Sequence, residues 1–312
     1  MKKLITILVP AYNEARNLPG LVDALSSLAD SIDTYDWEFL IVNDGSSDNT
    51  SDVLHSLREQ DIRVNYINLS RNFGKESAML AGLDYAKGDC VVIMDADLQH
   101  PVSAVPEMIK AWEEGYDDVY GKRKTRGKES WLRKKLSLLY YSLLQKTTRI
   151  DILPNVGDFR LLDRRCVDAV RELRETQRYT KGLFCWIGFK KKPVEFESLD
   201  RTEGKSTFNF LSLLGLAIEG ITGFTISPLR IASLLGVVVS IVAFIYLIFV
   251  IFKTIFYGEP VQGYPTLLCV ILFLGGCQLL AIGIIGEYIG RIFNETKRRP
   301  PYLVDSYNGS GR

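Results

Sequence analysis

The chain is 312 residues long, enough for one domain of ordinary size and a further, smaller part. A formal net charge of +1 argues against a general nucleic-acid binder, and five cysteines without a Cys-x-x-Cys, beside two histidines, give neither a zinc site nor a disulfide framework. Such cysteine usage fits a reducing compartment.

The opening Met1-Lys2-Lys3 and Leu4–Val9 have the outline of a signal peptide, but Pro10, Asn13 and Glu14 end the apolar run too early, so it reads as a first strand. Strands and helices then alternate: strand Thr6–Val9, helix Leu18–Leu28, strand Phe39–Val42, helix Thr50–Leu57, strand Val64–Leu69, helix Glu76–Ala86 and strand Val91–Met94. Helix Val105–Glu114 and strand Asp118–Tyr120 follow. This predicts an α/β fold, a mainly parallel sheet flanked by helices on both faces. The first strand carries no Gly-x-Gly-x-x-Gly, and the chain has no Walker A sequence.

Ligands of open α/β sheets bind at the carboxyl ends of the strands. Val91-Val92-Ile93-Met94 reads as a buried strand, which admits charge only where it emerges, at Asp95-Ala96-Asp97. Two carboxylates so close repel each other unless a cation lies near, and hard oxygen ligands suit Mg²⁺ or Mn²⁺ holding substrate phosphates. The other reading is a strand end and a cap for the helix near Pro101. Asp44 reads either as an acceptor for a nucleobase or ribose edge or as an Asx-turn, and Asp48 as a helix cap. Arg71-Asn72-Phe73-Gly74-Lys75 is either a loop whose amides approach a phosphate past Gly74, or a plain loop with a solvated cation.

Further on, Leu132, Leu136, Leu139 and Leu143 fall at helical spacing opposite cations, which predicts an amphipathic helix over about 130–147 lying in a membrane interface. Trp186 reads as packing, and Lys190-Lys191-Lys192 as a solvated strand start. Phe208–Phe224 is a second apolar-faced helix. Ile231–Phe252 and Tyr264–Gly286 are runs of 22 and 23 residues without a charge. Each exceeds the ~20 needed to span a bilayer. Their link, Tyr257–Gly263, has no Lys or Arg, whereas Arg230 and Lys297-Arg298-Arg299 flank the pair, so both flanks are expected in the cytoplasm. The expected division is a cytoplasmic domain at 1–205, a juxtamembrane amphipathic helix at 206–229, transmembrane helices at 230–256 and 264–290, and a cytoplasmic basic tail at 291–312. The expectation is a multi-pass protein of the plasma (inner) membrane, and Asn308–Arg312 reads as disordered. Gly275, Gly276, Gly283 and Gly286 allow a homo-oligomer through close helix packing.

Pro10-Ala11-Tyr12-Asn13-Glu14, Asn43-Asp44-Gly45-Ser46-Ser47-Asp48, Arg71-Asn72-Phe73-Gly74-Lys75 and Asp95-Ala96-Asp97-Leu98-Gln99-His100-Pro101 together resemble the inverting GT-A glycosyltransferases of family 2. More narrowly they resemble the polyprenyl-phosphate branch, with dolichol-phosphate mannose synthase and the bactoprenol glucosyltransferases. The likeness continues through Gly157-Asp158-Phe159-Arg160-Leu161, Arg178, Trp186-Ile187-Gly188 and Arg201-Thr202-Glu203-Gly204-Lys205-Ser206 to the two apolar runs. The resemblance implies a GT-A catalytic domain whose nucleotide-sugar site is formed by Pro10, Tyr12, Glu14, Asp44, Lys75, Asp95, Ala96, Asp97 and Gln99. Asp44 would hold the base, and Asp95 and Asp97 would face the diphosphate and the metal, with Asp97 the direct ligand. Asp158 would lie beside the acceptor and, with Asp97 and Arg201, form the catalytic set. Arg123, Arg160, Arg178, Arg201 and Lys205 would hold the diphosphate or the acceptor phosphate. Where many members follow Gly-Lys-Ser with lysine this chain has Thr207, which leaves open whether Lys205 supplies that cation.

The implied reaction moves one hexose, from UDP-glucose or UDP-N-acetylglucosamine, to polyprenyl (undecaprenyl) phosphate at the cytoplasmic membrane face. A lipid monophosphate, with a second pKa of ~6, is already largely ionised at neutral pH and needs no strong base. Two other readings stand beside this one. A processive polysaccharide synthase shares the core, but its Gln-x-x-Arg-Trp motif is absent. A non-catalytic membrane scaffold or lipid-flipping accessory would keep the core as a relic.

Overall fold

The computed structural model describes residues 2–123, 156–176, 178–197 and 263–311, with a set of positions between 229 and 256. The amphipathic segments expected at about 130–147 and 206–229, with Arg201 and Lys205, lie outside the described residues. The chain forms two compact units, Met1–Leu213 with Pro300–Arg312, and Leu214–Arg299.

The first unit begins with β1 (Leu4–Ala11), α1 (Leu18–Ser31), β2 (Asp36–Asn43), α2 (Thr50–Gln60), β3 (Val64–Leu69), α3 (Lys75–Tyr85) and β4 (Cys90–Ile93). Then come α4 (Val105–Glu113), β5 (Asp118–Arg123), β6 (Val156–Asp163), α5 (Arg164–Glu172), α6 (Thr180–Trp186) and β7 (Lys191–Phe196). After the second unit the chain returns with β8 (Val304–Tyr307) and β9 (Ser310–Gly311). One sheet takes all nine strands in the order β7-β5-β6-β4-β1-β2-β3-β8-β9. Strands β4, β1, β2 and β3 are parallel, as the alternation predicts, while β6 enters antiparallel between β4 and β5.

The central strands are apolar on both faces because helices cover both. Ile5, Ile7 and Val9 of β1 with Phe39 and Ile41 of β2 pack under α1, α2 and α4, whereas Leu8, Leu40 and Val42 pack under α3, α5 and α6. Helix α1 starts at Leu18 with Pro19 in its first turn, where a missing N–H costs nothing, and buries Leu18, Leu21, Val22, Leu25 and Ala29 along one stripe. Gly82 sets the approach of α3 to the sheet, since a Cβ there would lie 2.0 Å from Cδ1 of Leu8.

The tail departs from expectation. Residues 308–312 read as disordered, yet β8 pairs antiparallel with the edge strand β3 and β9 folds back on β8. The sequence signal was weak because the strand is only four residues long and half-polar. Its hold comes from side chains: Asn308 accepts from the Tyr66 amide at 2.8 Å and donates to Asn65, and Tyr302 donates to Asp84 at 2.6 Å. Trp186 is a second departure, 59% exposed rather than packed.

In the second unit, α7 runs from Tyr264 to Thr296. Its Phe273–Thr296 portion is long and apolar enough to cross a bilayer, and among the described residues it is the one helix that is. Described positions from 234 to 256 are helical and expose apolar side chains, among them Leu234, Val238, Ile241, Ile245, Phe249 and Phe252.

Candidate active site

The carboxyl ends of β1, β2, β3 and β4 form one rim. The two loops after β1 and β2 are tied into a single wall. Asn13, whose φ of 58° turns the chain sharply, accepts from the amides of Ser47 at 2.8 Å and Asp48 at 3.3 Å, and its own amide donates to Oγ of Ser46 at 2.9 Å. The Glu14 amide donates to Thr50 at 3.1 Å, and Asp48 accepts from the first amide of α2 at 3.1 Å. Tyr12 projects from this wall, 47% exposed, and Pro10 is buried inside β1.

Asp44 lies behind the wall, 3% exposed. One of its carboxylate oxygens accepts from the Phe73 amide at 2.7 Å and the other from the Gly74 amide at 2.9 Å, so it fixes the 71–75 loop. Burial pushes its carboxyl up against the pull of those two bonds. Beside it Gly45, at φ 60°, lies so close to the loop that a Cβ would fall 2.2 Å from the Arg71 carbonyl carbon. The Asn-Asp-Gly-Ser motif therefore shapes the loop that carries Lys75.

Register accounts for the centre of the site. The β4–β6 ladder ends where Ile93 pairs with Arg160, and Asp95 and Asp158 each lie two residues beyond that last pair. Lys75, the first residue of α3, reaches between them, with Nζ 2.6 Å from Asp95 and 2.8 Å from Asp158. Burial raises the Asp158 carboxyl, but Lys75 and then Lys181 outweigh it and hold it below the usual carboxylate range. Asp97 accepts from the Gln99 amide at 3.1 Å across a turn in which Leu98 has a φ of 57°. Ala96 between the two aspartates is buried. Burial, with a further push from Asp97 and Asp95, raises the Glu14 carboxyl across the site.

His100 holds Asp95 from behind. Its Nδ1 accepts from the Asp95 amide at 3.1 Å, and its ring stacks on Phe159 at 4.8 Å. Burial lowers its pKa, which keeps the imidazole neutral and able to accept.

The arginines divide. Arg123 ends β5 and is exposed. Arg160, for which the resemblance implied a phosphate contact, is only 2% exposed, pairs with Asp118 at 3.1 Å and stacks on Phe184 at 3.9 Å. That pair neutralises its charge inside the core. Arg178 is half-buried, donates to the Leu173 carbonyl, and lies near Glu76. Asn13, Ser46, Glu76, His100, Thr180 and Lys181 shape or border the rim without having been singled out for a role. Asn13 and His100 stood inside noted motifs, but partners 33 to 35 residues away and a ring contact with Phe159 carry no sequence signal.

Residues 6–171 match the profile of glycosyl transferase family 2, and residues 227–292 match the GtrB C-terminal hairpin. CsbB of Bacillus subtilis, which carries a provisional glycosyltransferase name, is 45% identical over 98% of this chain and 92% of its own length. The bactoprenol glucosyl transferase of Shigella phage SfX is 41% identical over 97% of this chain and 99% of its own, and the Escherichia coli prophage bactoprenol glucosyl transferase homolog is 41% identical over 96% and 98%. The chain therefore belongs to glycosyl transferase family 2, as an enzyme whose α/β catalytic unit is followed by a GtrB-type C-terminal hairpin.

Proposed function

We propose that the protein transfers a single hexose, with inversion, from a UDP-sugar to a polyprenyl phosphate at the cytoplasmic face of the membrane. The observation that carries this is the likeness to bactoprenol glucosyl transferases over nearly the whole of both chains, hairpin included. In this reading the wall from Pro10 to Glu14 and Ser46 receives the nucleotide base, with Tyr12 as its exposed aromatic. Asp44 accepts from the base or ribose with lone pairs left over from its two amide bonds, and Gln99 lines the diphosphate side.

Asp95 and Asp97 would hold Mg²⁺ or Mn²⁺. Two carboxylates in an Asp-x-Asp turn are the hard oxygen donors such an ion takes when substrate phosphates complete its shell. Among the described residues no group of three His, Cys, Asp or Glu side chains forms a protein-only metal cage, consistent with a site completed by the diphosphate. When bound, the ion neutralises the departing nucleoside diphosphate. Lys75 adds a fixed positive charge beside it. Asp158, held ionised and paired to Lys75, is a poor base, so its work is to fix the Lys75 ammonium and the neighbouring cations toward the acceptor phosphate, which attacks as an anion already formed. Arg123, Arg178, Arg201 and Lys205 complete the charge that draws two anionic substrates together.

The hairpin reading is supported by connectivity. The 214–299 unit leaves the catalytic unit and returns to it, and a segment with both ends in one folded domain crosses a bilayer an even number of times. At 33 residues α7 is about 50 Å long, more than the ~30 Å hydrocarbon layer requires. A partner span at 230–256 completes the pair. Transfer of label from a panel of UDP- and GDP-sugars to undecaprenyl phosphate, with Mg²⁺, Mn²⁺ or EDTA, tests the reading. One EDTA-sensitive lipid-linked monosaccharide is expected; a polymer would favour a processive synthase, and no turnover a scaffold.

A further inference from the structure

Glu76 follows Lys75 on the first turn of α3, yet the two side chains serve different neighbours. Lys75 goes to Asp95 and Asp158, while Glu76 accepts from the amide of Thr180, the first residue of α6, at 3.0 Å. Its carboxyl is the group that joins α3 to the segment bearing Arg178 and Lys181. Asp158 of β6, Arg178 ahead of α6, and Lys181 on α6 all act on it electrostatically. Among the described residues four buried polar side-chain atoms lack a hydrogen-bond partner, Oδ1 of Asp158, Nε of Arg160, Nε of Arg178 and Oγ1 of Thr180, and all but the Arg160 atom belong to residues that Glu76 bonds or acts on. Buried polar atoms are ordinarily paired, so unpaired ones on Asp158, Arg178 and Thr180, residues that Glu76 touches or acts on, mark a place prepared for a polar ligand.

We infer that Glu76 is a positioning residue for the acceptor phosphate: by holding the start of α6 it sets Arg178, Thr180 and Lys181 against Asp158 so that they meet the phosphate together. The inference rests on the proposed acceptor. It assigns Glu76 no contact with the reacting atoms. Burial, and next the charge of Asp158, push the Glu76 carboxyl up to about 7, as a group in this position requires. In either protonation state a Glu76 carboxyl oxygen still accepts from Thr180.

The test uses full-length protein in detergent and two variants. Glu76→Ala removes the bond to Thr180, whereas Glu76→Gln keeps an oxygen that can accept it. Glu76→Ala is expected to raise the KM for polyprenyl phosphate about tenfold with the donor KM unchanged, and Glu76→Gln to recover most of that loss. Hydrogen exchange supplies a readout that needs no substrate: amides at 178–183 should exchange faster in Glu76→Ala alone. A wild type that works and an Ala variant with unchanged acceptor KM or unchanged exchange overturns the inference. A rise in both KM values together would reduce Glu76 to a general structural role and also overturn it. Absence of lipid product from the wild type would overturn the acceptor reading itself.

Discussion

Asp158 gives one carboxylate oxygen to Lys75 at 2.8 Å and keeps the other buried without a partner among the described residues. The pair therefore holds charge in place with one acceptor site unused. Lys75→Met would leave Asp95 and Asp158 facing each other with no cation between them. Because Lys75 is partly exposed, at 43% of its side chain, the stability cost should be about 1–2 kcal/mol rather than the 3–5 of a fully buried pair. Transfer should fall at least ~100-fold. Adding Asp158→Asn should restore melting temperature but not activity. Calorimetry with rate measurements checks this, and a single variant that retains full transfer would remove Lys75 from the site.

Gly45→Ala attacks the same loop from behind. With φ at 60° and the Arg71 backbone 2.2 Å from the new Cβ, the 71–75 loop must shift. Strain of about 1–3 kcal/mol is expected. Donor affinity should weaken with the global fold retained, readable by UDP-sugar titration beside circular dichroism.

Removing the metal should stop transfer without unfolding the chain. Asp97→Asn keeps the acceptor for the Gln99 amide but loses its charge, so an unchanged melting temperature and a fall of about 10²–10³ in transfer are expected. Full activity in Asp97→Asn, or in EDTA, would end the metal assignment.

Two carboxyls give opposite pH signatures. Asp158 is held low when folded, so its contribution to stability is present above the unfolded carboxylate pKa and is lost as pH falls through its folded value. Glu76 is raised from 4.5 to about 7, so the folded state keeps a proton that the unfolded state releases, and stability declines as pH rises across that window. Glu76→Gln should abolish that decline. Its melting temperature relative to wild type should therefore be higher at pH 8 than at pH 5, with no such trend if Glu76 titrates normally.

The catalytic unit was legible where one local rule decided the outcome. Alternating apolar strands and amphipathic helices gave β1 to β4 and α1 to α4 to within about three residues, because both faces of that sheet are buried. Asp95 and Asp97 were legible because charge after a four-residue apolar strand must lie at an edge. The tertiary pairings were not. That Asp95 and Asp158 share Lys75 depends on the antiparallel insertion of β6, and the buried state of Arg160 depends on Asp118, 42 residues away. An arginine beside a site motif looks the same in sequence whether it meets a phosphate or a core aspartate. Strand β8 was missed because its signal is the edge of β3, a surface formed more than 200 positions earlier.

That last strand also sets an order of events during synthesis. The edge of β3 is made early, but its cover follows the whole 214–299 segment. At 5–20 residues per second the ribosome leaves that edge uncovered for on the order of 10–50 s. During that interval the half-finished enzyme displays an open strand of the kind that recruits unwanted partners. The nascent chain thus reaches its protected form only after the whole 214–299 segment has been made.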